Sequence, residues 1–370
     1  MKWLPPVAVA LVLIVFVPSL ESAFHTPKLV VLSLAVLLSL PSVYKNWRRL
    51  SVPMLGFAGA VGLSATLRES WSAPSTAVLL LGVLVVASFA TMEVDERQTA
   101  TIIGAALLVV CGLTVLQAFG GFTFGASGRM ARSSTLGNPD FVASAVAAIA
   151  WVCWPLRRGV LLALGALVVL ALSFTQSFAT LVSLSVAAGF LIVKLPSARR
   201  WLVPSALVVV AVLSLGVLDR EPLRALRGRW YLTQVVTPHL FDLPLGGLGP
   251  GAVELHWPRW ELDLWRSRCG DDAACVQAHP EFPFNGLQDH VHDDWLELWL
   301  ELGPLAVGAL VLWFVRQLRD ARQPFVTAAL LVLISRSFFD FPLHRPADWA
   351  CLALLACWRS DGTRATPQRS

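Results

Sequence analysis

Up to Trp358 the chain is a succession of apolar stretches of about 14 to 20 residues, parted with one exception by short polar breaks. A backbone placed in hydrocarbon finds no water to bond, so it must close its own hydrogen bonds as a helix or a closed barrel. Barrel strands would alternate apolar and polar residues, and these runs do not. The expectation is an all-α, polytopic integral membrane protein with about twelve transmembrane helices. The spans are Leu4 to Leu20, Leu29 to Tyr44, Val52 to Leu67, Ala77 to Thr91, Thr101 to Phe119 and Phe141 to Trp154. Leu161 to Phe174, Thr180 to Val193, Trp201 to Leu218, Trp295 to Val315, Phe325 to Phe338 and Ala347 to Trp358 follow. Composition agrees, at 56% hydrophobic and 14% charged.

Alternate loops are basic: KNWRR at 45–49, PLRR at 155–158, KLPSARR at 194–200, RQLRDAR at 316–322 and the tail from Arg359. The positive-inside rule makes these loops and both termini cytoplasmic. They also account for the formal charge of +5 without a nucleic-acid partner. The N-terminus resembles a signal peptide, with Lys2 before an apolar core, but Glu21 stands three before Ala23 where a small residue is wanted, so it reads as a retained first helix. Residues 1–130 are expected as N-terminal membrane helices, 131–360 as a membrane region that includes the long loop, and 361–370 as a cytoplasmic tail. One connection, about 219–291, is long, extracytoplasmic and without obvious periodicity; such loops usually carry function. Within it Cys269 and Cys275 lie where disulfides persist, and they read as a staple, since no third or fourth metal ligand is near. Cys111, Cys153, Cys351 and Cys357 fall in apolar spans as buried small hydrophobes.

The densest ionisable chemistry is HVHDDWLELWLELG at 290–303. Asp293 or Asp294 can cap the helix that follows, and Glu297 has capping-box spacing from Asp294. Capping leaves His292 unexplained, and also Glu301, which lies roughly 12 Å along the helix. A carboxylate at that depth costs at least about 2 kcal/mol unless partnered. His290, His292 and Asp294 resemble the start of the HxHxDH metal run of metallo-β-lactamase-like hydrolases, but Trp295 stands at its last position and a membrane helix follows. General-base work by His292 and a merely structural histidine are the other readings; imidazole ordinarily titrates near neutrality.

Arginines gather in segments of the same side. RMARSSTLGNPDF holds Arg129 and Arg132 before a Gly137-Asn138-Pro139 turn and a helix starting near Asp140. LRALRGRWYL holds Arg224, Arg227 and Arg229 ahead of PLGGLGPG at 244–251; Arg336 ends one span and Arg345 follows in FPLHRP. Guanidinium groups suit phosphate oxygens, and diphosphate is the anion expected at this surface. GGLGPG, with Gly249 and Gly251, lacks the flanking strand of a nucleotide fingerprint and reads as a turn that lets backbone approach something closely.

Together these segments, from Arg132 to Trp358, resemble the O-antigen ligase superfamily of lipopolysaccharide O-antigen ligases, O-antigen polymerases and protein O-oligosaccharyltransferases. RSSTLGNPDF resembles the family's Arg followed by GTFGNPN, and RGRWYLTQVV through PLGGLGPG its Arg-Trp segment and GxGPG turn. HDDWLELWLELG resembles HNxYLQLxxELG, and DFPLHRP the closing FPLHxP. Asp293 stands where Asn is usual, Ala306 replaces a Gly, and Phe178 in TQSFAT replaces an Arg and so removes one anion contact.

The resemblance implies transfer of a glycan from undecaprenyl diphosphate to an acceptor hydroxyl, at the periplasmic face of a bacterial inner membrane, with lipid A-core as the leading acceptor. His292 would be the catalytic base, with Arg132, Arg229 and Arg336 on the diphosphate. Asp293, Glu297, Glu301, Asn138, Gly249, Gly251, His344 and Arg345 would support the site. Neither cofactor nor metal is required, since diphosphate is already a good leaving group. A non-enzymatic flippase is the alternative from another class; it would carry charge near the midplane and two related halves. Matching depths at 1.5 Å per residue predict a Glu297–Arg336 ion pair, against capping by Glu297 and a lipid-facing Arg336.

Overall fold

The computed structural model describes residues 2–16, 25–67, 72–121, 132–196, 222–241, 243–270, 290–321 and 323–358, with the isolated positions 203, 209–211, 214, 272 and 275. No strand occurs among the described residues. The helices are Leu4–Ile14 (α1), Thr26–Lys45 (α2), Val52–Leu67 (α3), Ala73–Phe89 (α4), Glu96–Ala118 (α5) and Pro139–Ile149 (α6). They continue as Arg158–Thr175 (α7), Phe178–Lys194 (α8), Pro222–Val236 (α9), Ala252–Cys269 (α10), Asp294–Asp320 (α11), Pro324–Arg336 (α12) and Pro346–Ala356 (α13).

Every expected span contains an apolar helix except Trp201 to Leu218, which lies outside the described residues but for isolated positions. Glu21, Ala23, Arg129 and the tail 361–370 also lie outside them. By length and composition α2, α5, α7 and α11 can cross a membrane, and the other apolar helices have 10–17 residues. The chain is therefore a helical membrane protein, although helix length alone does not carry the number of twelve crossings.

Packing explains the short helices. Every residue of α13 is buried, as expected of a helix apolar all round that is wrapped by protein. It lies chiefly on α4 and α1, and Trp349 lies flat against Gly82, where a Cβ would come within 2.2 Å of the indole. α12 packs on α8 and α6, α11 on α3, and α5 on α7.

The described part of the long connection is not irregular. It holds α9 and α10, which pack together around their own core of Tyr231, Leu232, Val235, Val236, Val253, Trp257 and Trp260. Spacings of three, four and seven make one apolar stripe on each helix. Cys269, at the end of α10, is disulfide-bonded to Cys275, with Cα atoms 5.5 Å apart.

The PLGGLGPG turn approaches α11. Pro304 has no N–H to return to the Leu300 carbonyl, and Gly303 breaks the helix at φ 78°, ψ 174°. The turn supplies the partners: Leu248 N donates to Leu300 O and Gly249 N to Glu301 O, each at 2.9 Å. Ser64 Oγ of α3 also donates to Glu301 O at 2.9 Å. A Cβ on Gly247 would stand 2.3 Å from the Glu301 carbonyl carbon, and one on Gly303 would stand 2.0 Å from Leu245 O. Glycine alone fits either side of this seam. Gly251 is the N-cap of α10.

α2 joins two polar ends of the bundle, roughly 30 Å apart over its length. At its C-terminal end a cleft of about 450 Å³ is lined by Lys2, Lys45, Asn46, Arg49 and Glu93 among others. At its N-terminal end His25 lies edge-on to Phe141, centroids 6.1 Å apart. Burial lowers the His25 pKa, and so do Lys28, Arg345 and His290, which gather at that end.

Candidate functional site

The site is assembled where the start of α11, the end of α12 and the Pro342–His344 turn before α13 meet. Asp293 caps α11, its Oδ1 accepting from Trp295 N at 3.0 Å and Leu296 N at 3.2 Å. Burial raises the Asp293 carboxyl to about 6 despite those bonds. Asp294 faces inward, accepting from Leu343 N at 3.0 Å through Oδ2 and facing His344 Nδ1 at 3.0 Å through Oδ1. Its own N–H donates to Ser337 O at 2.9 Å. One aspartate thus caps the helix and its neighbour ties it to the two segments that follow.

His292 sits between these anchors with φ 58°, a left-handed conformation that costs an L-residue roughly 1–2 kcal/mol. The bend turns its ring edge-on to Phe341, with centroids 5.0 Å apart. Its side chain is 39% exposed, and Nδ1 stands 3.7 Å from Asp340 Oδ1. Asp340 is held in turn: Arg336 donates to Oδ2 at 2.7 Å and Arg345 at 3.2 Å. Burial alone would raise the Asp340 pKa, but Arg345 and Arg336 hold its carboxyl well below the usual range. An exposed imidazole is therefore backed by a fixed carboxylate anion.

Arg336 is where the structure corrects the sequence reading. It is 1% exposed, and besides Asp340 it binds Asp140 O at 2.7 Å, Ser177 Oγ at 3.3 Å and Thr180 Oγ1. No ion pair with Glu297 forms, and of the guanidinium nitrogens only the buried Nε has no hydrogen bond. Glu297 instead meets His290 Nδ1 at 2.6 Å, accepts from Val291 N at 2.8 Å and lies 3.3 Å from His344 Nε2. Nor do His290, His292 and Asp294 converge as a metal run would require, since each faces a different partner. Arg345 is also buried, bonded to Asp340 and Asp348, its guanidinium carbon 4.6 Å from the Phe141 centroid.

His344 is enclosed by carboxylates. Burial opposes its charge, but Glu297, Asp294 and Glu301 hold its pKa well above the ordinary value. Glu301, buried one turn below Glu297, lies 3.8 Å from His344 Nε2 and within 3.5 Å of Val253 N.

Asn138 caps α6, its side chain accepting from Asp140 N at 2.8 Å, and so orients the Asp140 carbonyl that receives Arg336. Arg132 is half-buried and donates to Phe174 O at 3.1 Å. Arg229 is half-buried on α9, while the side chains of Arg224 and Arg227 lie outside the described residues. Phe178 packs edge-on to Phe339 with centroids 6.3 Å apart. Beside the start of α11 opens an apolar cavity of about 600 Å³, lined by Leu240, Phe241, Trp295, Trp299, Phe314 and Phe338 among others.

Sequence reasoning passed over Asp340, which lies four residues after Arg336 in the turns that follow α12. Asp348, Ser144 and Phe341 were passed over too; only their place in space gives them a role. No protein-family model matches this chain, and comparison with curated proteins finds no match.

Proposed function

We propose that the protein is a membrane glycosyltransferase of the O-antigen ligase type, moving a glycan from undecaprenyl diphosphate to an acceptor hydroxyl at the extracytoplasmic face of a bacterial inner membrane. Lipid A-core is the leading acceptor, ahead of a growing O-antigen or a protein. One observation carries this reading: the four segments on which the resemblance rests meet at one end of the bundle. Asp140 O receives Arg336, 196 residues away; Gly249 bonds Glu301; His344 bonds Asp294; His292 faces Asp340. The basic cleft at the far end of α2 supports the orientation, with the site outside.

In this reading the acceptor hydroxyl gives its proton to His292, and its oxygen forms the new bond to C1 of the first sugar. The bond from C1 to the diphosphate oxygen breaks, and its electron pair leaves with undecaprenyl diphosphate. Asp340 stabilises the imidazolium that forms, as the buried carboxylate of a catalytic triad does. Arg132 and Arg229 bind the diphosphate; Arg336 and Arg345 hold Asp340 and act through it. The apolar cavity beside Trp295 suits the polyprenyl chain.

The test gives the purified protein a lipid-linked glycan and an acceptor and measures free undecaprenyl diphosphate. Release that depends on acceptor and on His292 supports transfer. Binding of the donor with no diphosphate released in any condition overturns it in favour of a carrier.

A further inference from the structure

We infer that His290, Glu297, Glu301 and His344 form a binding site for one divalent transition-metal ion, of the zinc class, buried behind His292. This inference does not depend on the transfer reading. The ion holds the site together and takes no part in the reaction.

Two buried atoms point to it. His344 Nε2 and Glu301 Oε2 have no hydrogen bond, although their side chains are 3% and 1% exposed. The 3.8 Å between them is too long for one. The third facing atom, Glu297 Oε1, is 3.3 Å from Nε2. A tetrahedral ion bound at about 2.0–2.2 Å by nitrogen and oxygen keeps its ligand atoms roughly 3.3–3.5 Å apart, and the two measured separations bracket that range.

The surroundings are those of a prepared ligand set. His344 Nδ1 is engaged by Asp294, which leaves Nε2 as the metal-facing nitrogen; such carboxylate–histidine pairs set tautomer and ring orientation in metal sites. Glu297 Oε2 is fixed by Val291 N, so Oε1 is the oxygen turned inward. His290 completes the set, and the ligand atoms of His290, Glu297 and His344 lie within 4.8 Å of one another. Its Nδ1 is 2.6 Å from Glu297 Oε1, a contact that opens by about 0.7 Å to reach ligand spacing. As the most exposed member, 25% at the side chain, His290 is the one able to move.

Charge is compatible with the ion. Asp294, Glu297 and Glu301 are each 0% exposed, three carboxylates against two imidazoles, while Arg336 and Arg345 are committed to Asp340 and Asp348. Buried charge is tolerated when paired or bound to metal. One divalent ion with neutral imidazoles leaves the cluster at the same net charge as two protonated imidazoles would, so the ion can replace the two protons.

The experiment uses the full chain in detergent, stripped with a chelator and titrated with Co²⁺ while the visible absorption is recorded. Saturation at one equivalent, with the intense bands of a four-coordinate site displaced by Zn²⁺, is expected. Glu301→Gln, close in size to the native residue, should weaken or abolish the bands, and Asp294→Asn should lower affinity about 10–100-fold. Circular dichroism and gel filtration establish that each variant is folded. Absence of stoichiometric bands in the wild type overturns the inference, as does undiminished binding in folded His344→Gln and Glu301→Gln. Diphosphate release is measured separately, so failure of the metal site and failure of the transfer reading are told apart.

Discussion

The two ends of α2 carry similar residue types under opposite physics. Beside Lys45, the pairs Lys2–Glu93 at 3.8 Å and Arg49–Glu93 at 3.6 Å join side chains 37% to 64% exposed. Beside His25, Arg336, Asp340 and Arg345 are 5% exposed or less, and the two arginines bond Asp340 at 2.7 and 3.2 Å. Exposed pairs pay side-chain entropy for a screened attraction and contribute about 0–1 kcal/mol. A buried pair pays desolvation for both ions, so it stabilises little over an apolar core, yet losing one partner strands the other. The cleft end reads as orientation and solvation, whereas the site end reads as geometry imposed on one exposed histidine.

The comparison breaks first at His292. His292→Ala should cut glycan transfer by about 10²–10⁴-fold, the range of a lost general base, while binding of the lipid-linked donor persists. Turnover within a few-fold of wild type would make the site end a structural charge cluster only.

Next come its supports. Asp340→Asn and Arg336→Gln should each destabilise the protein by about 3–5 kcal/mol, read in thermal unfolding, because each strands a buried ion. The two losses should fall well short of additive, whereas Glu297→Gln with Arg336→Gln should add, the reverse of a Glu297–Arg336 pair. The sign with pH follows from Asp340. Its folded pKa is depressed, so its contribution is full above the ordinary carboxyl value of 3.8 and is lost as pH falls through the folded value. Asp340→Asn should remove that share of the acid sensitivity.

A smaller effect is expected at the proposed diphosphate contact. Arg229→Lys keeps the charge but loses the planar fork, and activity should fall about tenfold, the equivalent of one charge-assisted hydrogen bond of roughly 1.5 kcal/mol. Equal activity would make Arg229 a surface charge like those of the cleft. Least of all, Lys2→Ala and Glu93→Gln should shift stability by no more than about 1 kcal/mol, and less in high salt. A larger loss there would erase the contrast between the ends.

What the sequence discloses divides along the same line. α3 begins at Val52 and ends at Leu67 as its apolar run does, and the cap of α11 is legible in HDDW. Local spacing and capping chemistry suffice there. The stripe of Tyr231, Leu232, Val235 and Val236 was legible too but is short and amphipathic, so beside membrane spans it passes for loop. Glu297 and Arg336 were matched by depth, which fixes height along a helix but not direction around it. α12 turns its weight onto α8 and touches α11 little, so Arg336 faces Asp140 and Thr180 instead. Partners set by how helices are rotated against one another have no local signature.

The seam between Gly247 and Gly303 bears on how the chain is made. Leu300 O and Glu301 O find their donors in Leu248 and Gly249, some fifty residues earlier, because Pro304 and Gly303 deny them partners within their own helix. An unpaired carbonyl in lipid costs several kcal/mol, so α11 is an uneasy passenger in the bilayer until α9, α10 and the turn between them have folded against it. Biogenesis therefore has an order: the segment that holds α9, α10 and the turn is translated first and, in the proposed orientation, must be exported before the helix that needs it can settle. A chimaera that exchanges either the turn or α11 alone carries half of a joint, and it should insert poorly even where every span keeps its hydrophobicity.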